Sequence, residues 1–229
     1  MIKQIKLKIP ECNYIRDPQE TKLGNSIIDE SIKLIDQIGF ESFTFKKLAH
    51  AIGTTEASVY RYFENKYQLL LYLDSLYWGW MNYRISISTG HLQSDRQKLL
   101  TAFQLLIAEN ISEEEFLFQN NQKLMRIVQQ EGIKSMLSKN VDDVNSTGAF
   151  HNYKELVSKL CVWIMNIDPN FKHPNMLVTT IIEGAHIQYF FAEHLPRLTN
   201  AGKGKQQIEL FFMEMLNLFL VNPTNQIKS

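Results

Sequence analysis

Residues 44–66, TFKKLAHAIGTTEASVYRYFENK, constrain this chain more than any other stretch of its 229 residues. Two short helical patterns meet at a glycine-containing turn, and a lysine follows the second. This is the layout of a helix-turn-helix, whose second helix fits the major groove of DNA. Thr44 is the expected N-cap of the first helix. Leu48, Ala49 and Ile52 share its inward face, and Ala49 is small enough to admit a crossing helix. Gly53 ends it, because glycine takes a positive φ without a Cβ penalty. Lys46, Lys47 and His50 fall on outer faces.

Thr54 or Thr55 caps the second helix, and Val59 and Phe63, spaced i and i+4, turn inward. Glu56, Ala57, Ser58, Tyr60, Arg61 and Tyr62 are left on the surface. Small residues there permit close approach, hydroxyls bond phosphates, and arginine binds phosphate or the O6/N7 edge of guanine. Lys66 opens the next helix, whose free N–H groups favour a phosphate. Two-helix turns also serve as ordinary packing units, so the surrounding frame matters. Upstream, SIIDESIKLIDQIGFESFTF sets Ile28, Ile32 and Ile35 on one stripe, widened by Ile27, Leu34 and Ile38. Gly39 stops that helix before Phe40, Phe43 and Phe45.

Over residues 23–71 the chain resembles the TetR family of one-component bacterial regulators. The matching pieces are a first helix ending in IGF, then TFKKLAHAIG, then TTEASVYRYFENKYQLL. The resemblance implies an all-α chain of about nine helices. Residues 1–22 would form an N-terminal arm, 23–66 a three-helix helix-turn-helix DNA-binding domain, and 67–229 a larger helical effector-binding and dimerisation domain. It further implies a homodimer on a palindromic double-stranded operator, acting as a repressor, with DNA affinity lowered by a small apolar ligand. Residue by residue, it assigns Thr44, Tyr62 and Lys66 to phosphates and Lys46 to a base or the backbone at the groove edge. Thr55, Glu56, Ala57, Ser58 and Tyr60 match the contacting face, and Arg61 sits where base or phosphate is in reach. Glu56 is the outlier, since a carboxylate repels phosphates. It either accepts from cytosine N4 or points to solvent.

Charge is balanced at 24 basic and 24 acidic residues, so any attraction to DNA must be local. The leader MIKQIKLKIP carries Lys3, Lys6 and Lys8 and reads as an arm toward DNA, a short strand, or a disordered terminus, the last being the default. It lacks the apolar core of a signal peptide. No apolar run reaches the roughly 20 residues that span a bilayer. Cys12 and Cys161, without CxxC spacing, fit a reducing cytoplasm rather than a disulfide framework or zinc ribbon. His186 and His194 are too far apart for a metal pair at i,i+4. No paired carboxylates, Ser-His-Asp set or phosphate-binding glycine loop emerges, so neither an enzyme nor a cofactor is expected. The competing reading is a helical dimeric ligand-binding or protein-interaction module without DNA-regulatory activity.

From residue 67 the pattern is helical almost throughout, with Leu99, Phe103, Leu106 and Ile107 on one face. A break is expected near Gly132 and a loop at DDVNSTG, residues 142–148. The last two helical segments, NMLVTTIIEGAHIQYFFAEHL and KQQIELFFMEMLNLFLVN, are more apolar than one modest domain needs. A symmetric four-helix bundle would bury them through Ile181, Gly184, Ala185, Gln188, Phe211, Met215 and Phe219. It would also supply two reading heads roughly 34–36 Å apart. Trp78, Met81, Phe103, Phe116, Met125, Trp163 and Tyr189 are candidate walls for a hydrophobic or aromatic effector, although such residues at helical spacing are more often core.

Overall fold

The computed structural model describes residues 6–108, 120–202 and 206–221. Among them no strand occurs; the elements are α1 (Lys22–Ser42), α2 (Phe45–Ala51), α3 (Glu56–Tyr60), α4 (Lys66–Thr89), α5 (Asp95–Ile107), α6 (Asn121–Ile127), α7 (Ile133–Met136), α8 (Val141–Ser146), α9 (His151–Ile167), α10 (Pro174–His194) and α11 (Gln206–Val221). A π-turn, Val128–Gly132, joins α6 to α7, so the described residues form ten helical runs where about nine were expected. None is long and apolar enough to cross a membrane.

The chain divides into two compact units, Met1–Trp80 with Ile111–Tyr153, and Met81–Asn110 with Lys154–Ser229. In the first, α1 packs on α2 and α6, and α2 on α3. The apolar stripe expected for α1 is its buried face, with Ile27, Ile28, Ile32 and Ile35 inside. Gly39, at φ 75°, ends the regular helix, and Phe40, Phe43 and Phe45 plug the core beyond it. Arg126 of α6 grips Asp36 of α1 with two parallel hydrogen bonds, 2.8 and 2.9 Å, a fork geometry that fixes orientation as well as distance.

Three expectations are corrected in this unit. Residues 6–22 are neither a strand nor a loose tail: Leu7 and Ile9 are buried, and 3-10 turns form at Glu11–Asn13 and Pro18–Glu20. Lys3 lies outside the described residues. The expected loop at 142–148 is mostly α8, whose first turn carries Asp142 and Asp143. Carboxylates there offset the partial positive charge of a helix N-terminus, which polarity alone does not reveal. Near Gly132 the helix does not break but widens into the π-turn, where a Cβ on Gly132 would stand 3.0 Å from Asp74 Oδ1.

In the second unit α5, α10 and α11 pack on one another. Leu99, Phe103, Leu106 and Ile107 are buried as their spacing requires. The Tyr189 hydroxyl donates to Ile107 O at 2.6 Å, and a Cβ on Gly184 would meet the Phe212 ring at 3.0 Å.

Asn13 is the polar rivet of the first unit. Fully buried, it donates to Ser75 Oγ at 2.8 Å and Ala149 O at 3.0 Å. Asn13→Ala leaves these acceptors short of a donor and is expected to cost about 1–3 kcal/mol, read as a lower midpoint in urea unfolding. Lys8→Ala, at an exposed side chain, should stay within about 0.5 kcal/mol of the parent.

Candidate nucleic-acid interface

Local chemistry shapes the head at each junction. Thr44 Oγ1 accepts from Lys47 N at 3.3 Å and starts α2. At its end, Thr54 N donates to Ala49 O (2.9 Å) and Gly53 N to His50 O (3.3 Å). This paired pattern is a Schellman cap, and it requires the φ of 65° that Gly53 adopts. Thr55, rather than Thr54, caps α3, its Oγ1 accepting from Ser58 N at 3.3 Å. Asn65 Oδ1 accepts from Tyr67 N (2.9 Å) and Gln68 N (3.0 Å), so α4 begins under a side-chain cap.

With both turns fixed, α3 has no freedom over which face it presents. Val59 and Phe63 are fully buried, while Thr55, Glu56, Ala57, Tyr60 and Arg61 are exposed and Ser58 is half-buried. Thr44 and Lys46 of the preceding segment are exposed as well. The Tyr60 ring meets Phe45 edge-on at 5.1 Å and still leaves 47% of the residue exposed. Glu56 is the first residue of α3 and faces solvent. There its carboxylate favours the helix dipole whatever it meets outside.

Two expected contact residues have other engagements. Tyr62 is only 3% exposed; its hydroxyl lies 2.7 Å from Thr21 Oγ1, and Arg16 stands over its ring with 5.6 Å from Cζ to the centroid. Lys66 donates to Phe40 O (3.1 Å) and Glu41 O (3.2 Å), with Nζ 4.7 Å from the Phe40 ring centroid. It thus adds a donor to two carbonyls at the end of α1, of which Phe40 O also accepts from Phe43 N at 3.3 Å, while remaining half-exposed. Sequence reasoning missed Arg16, Thr21 and Asn65. Asn65 was legible as a cap before Lys66; nothing local marks Thr21 or Arg16 as neighbours of residue 62.

The remaining candidates scatter. Of the expected effector walls, Trp78 and Met125 are buried in the first unit, where Trp78 stacks on Tyr153 at 4.4 Å. Met81, Phe103 and Tyr189 are buried in the second and Trp163 is half-buried there. Phe116 lies outside the described residues. Of the expected interface residues, Ile181 and Ala185 are turned wholly into the chain's own core, and Gly184 is set against Phe212. Gln188 and Met215 are half-buried, and Phe211 and Phe219 are exposed. The open apolar surface on α10 is instead that of Met176, Ile187 and Phe190. Thr179, Thr180, Glu183 and Gln188 interrupt the apolar run there, and the buried Leu177, Val178, Ile181, Ile182, Ala185 and Tyr189 recur at helical spacing, so the inward phase was legible in the sequence.

Residues 27–73 match the family model described as bacterial regulatory proteins, tetR family. Among solved structures, superantigen PfiT superposes with a TM-score of 0.57 and 15% identity over 89% of this chain and 97% of that one. The fatty acid degradation regulator FadR from Bacillus halodurans gives 0.55 and 15% over 82% and 97%. AibR in complex with isovaleryl coenzyme A and operator DNA gives 0.50 and 14% over 83% and 95%. At such identities the likeness is one of fold. No curated protein matches the sequence.

Because Lys66 ties α4 to the end of α1, Lys66→Ala is expected to lower head stability by about 1–3 kcal/mol, measured by urea unfolding in the absence of DNA. Arg61→Ala, at an exposed residue, should leave that midpoint unchanged.

Proposed function

We propose that this chain, which belongs to the tetR family of bacterial regulatory proteins and is a DNA-binding transcriptional regulator, acts as a homodimeric repressor on a palindromic operator. The observation that carries the reading is the presentation of α3: a five-residue helix held by caps, Val59 and Phe63 inside, Tyr60 and Arg61 outside. In this reading Thr55, Ala57, Ser58 and Tyr60 line the groove-facing surface, with Glu56 at its rim. Thr44 and Lys46 meet the backbone at the groove edge, and Arg61 reaches base or phosphate. Lys66 and Tyr62 serve chiefly by holding the head in shape, and Lys66 retains enough exposure to offer its charge to a phosphate.

Dimerisation is supported by the exposed apolar side chains of α10 and α11. Ile187 and Phe190 on one helix, and Leu210, Phe211, Leu218 and Phe219 on the other, are more than a lone chain leaves open without reason. Two such helices from each copy make an isologous bundle. The structure of AibR was determined with isovaleryl coenzyme A and operator DNA. By analogy of fold, a small apolar or aromatic effector bound in the helical body lowers DNA affinity here. The Arg126–Asp36 fork, which grips α1 from α6 within the first unit, is one side-chain link through which a shift of α6 would reach the head.

A gel shift on the duplex upstream of the chain's own coding region tests the DNA reading. Tyr60→Ala with Arg61→Ala is expected to abolish the shift while leaving the circular dichroism spectrum intact; retained binding by that folded variant refutes the placement of the interface. Phe211→Glu with Leu218→Glu should convert a dimer to monomer in sedimentation velocity. A parent that sediments as a monomer at micromolar concentration overturns the dimer. An effector coupled by 1–3 kcal/mol would weaken operator binding about 5–150-fold, and titration of acyl thioesters and aromatic acids reads that directly.

A further inference from the structure

The segment preceding α1 lies outside the stretch that matches the family, 27–73, yet it is bound tightly to the head. Ile15 N donates to Tyr62 O at 2.8 Å, and Gln68 Nε2 to Cys12 O at 3.0 Å. The Gln19 side chain bonds both N and O of Leu7, at 3.1 and 2.9 Å. Asn152 Nδ2 donates to Lys8 O at 3.0 Å. Pro18 crosses the first turn of α1 so closely that a Cβ on Gly24 would be 2.3 Å from its carbonyl oxygen. This is a strap of fixed conformation, so its ordering entropy is already spent before any partner arrives.

The strap also sorts its charges. Lys6 reaches Asp17 at 2.9 Å and Glu20 at 3.0 Å, and Asp17 Oδ1 additionally accepts from Gln19 N at 2.9 Å. The acids of the 17–20 turn are therefore occupied. Arg16 is exposed and has no carboxylate partner among the described residues. Its guanidinium sits over the face of Tyr62, one residue beyond Arg61. A guanidinium held against a ring keeps its planar fork oriented while its outer N–H groups remain available. Position 62, where a phosphate contact was expected of the tyrosine, is thus buried and covered by a cation.

We propose that residues 6–22 are part of the DNA-binding surface and that Arg16 binds a backbone phosphate of duplex DNA beside the recognition segment. The proposal rests on the DNA-binding reading above. Arg16 contributes affinity without sequence preference, Tyr62 serves as its platform, and the Thr21–Tyr62 hydroxyl pair keeps that platform in place.

The test is fluorescence anisotropy with the full chain, on the upstream duplex and on an unrelated duplex of equal length, over a series of KCl concentrations. Arg16→Gln, which keeps the side chain's bulk and polarity, should weaken binding about equally on both duplexes. The slope of log K against log salt should fall in magnitude by about 0.9, the value for one phosphate contact. Arg16→Lys should restore the slope, and the thermal melt of both variants should match the parent. An Arg16→Gln slope equal to that of the parent, with Arg61→Ala still losing affinity, overturns the proposal and leaves the DNA reading standing. A parent chain that binds neither duplex at any salt concentration overturns both.

Discussion

A five-residue helix does not hold itself together in water, because its nucleation cost is never repaid by its few hydrogen bonds. The surface proposed to read DNA is built on such a helix. It stands because Thr55 caps its start, the Schellman turn at Gly53 fixes the approach of the chain, and Val59 and Phe63 are sunk in the core. Remove any of these and Tyr60 and Arg61 lose their common orientation. Regulation of this kind thus depends less on the exposed residues than on the apolar and capping residues beneath them.

The same dependence explains the neighbours. Lys66 and Tyr62 read from sequence as hands reaching for phosphate, yet in the folded chain both are fasteners. The Lys66 ammonium donates to two carbonyls at the end of α1, and Tyr62 is clamped by Thr21 from one side and Arg16 from another. A cation at a helix C-terminus is already in a favourable field. Moving it to a phosphate exchanges one good site for another, so its net contribution to binding is smaller than its charge suggests. Arg16, for which no competing carboxylate is found among the described residues, is the donor proposed for a phosphate.

Fold alone does not decide function here. The superantigen PfiT, the fatty acid degradation regulator FadR and the operator-bound AibR superpose on this chain at comparable scores, though they differ in what they do. What distinguishes a DNA reader is the head: a helix-turn-helix with exposed hydroxyls, small residues and cations on α3 and its flanks. That chemistry is local, so it was readable early. The body offers no comparable signature, since its aromatics and methionines are the ordinary filling of helical cores.

The order and type of the head's elements were determined by the sequence itself, because caps, glycine stops and i,i+4 apolar pairs act within a turn or two of chain. Thr44, Gly53, Val59 and Phe63 take the positions their spacing dictates. At Asp142 and Asp143 the polar composition that suggests a loop instead starts a helix, because carboxylates favour its N-terminal dipole. Only the tertiary structure decided which apolar residues of α10 stay open, since Ile187 and Phe190 are as apolar as Ile181 and Ala185 yet are exposed while those two went inward. It likewise decided the fates of Tyr62, Lys66 and Arg16. Their partners lie far along the chain, Thr21 being 41 positions from Tyr62, and no local pattern encodes a contact that only packing brings about.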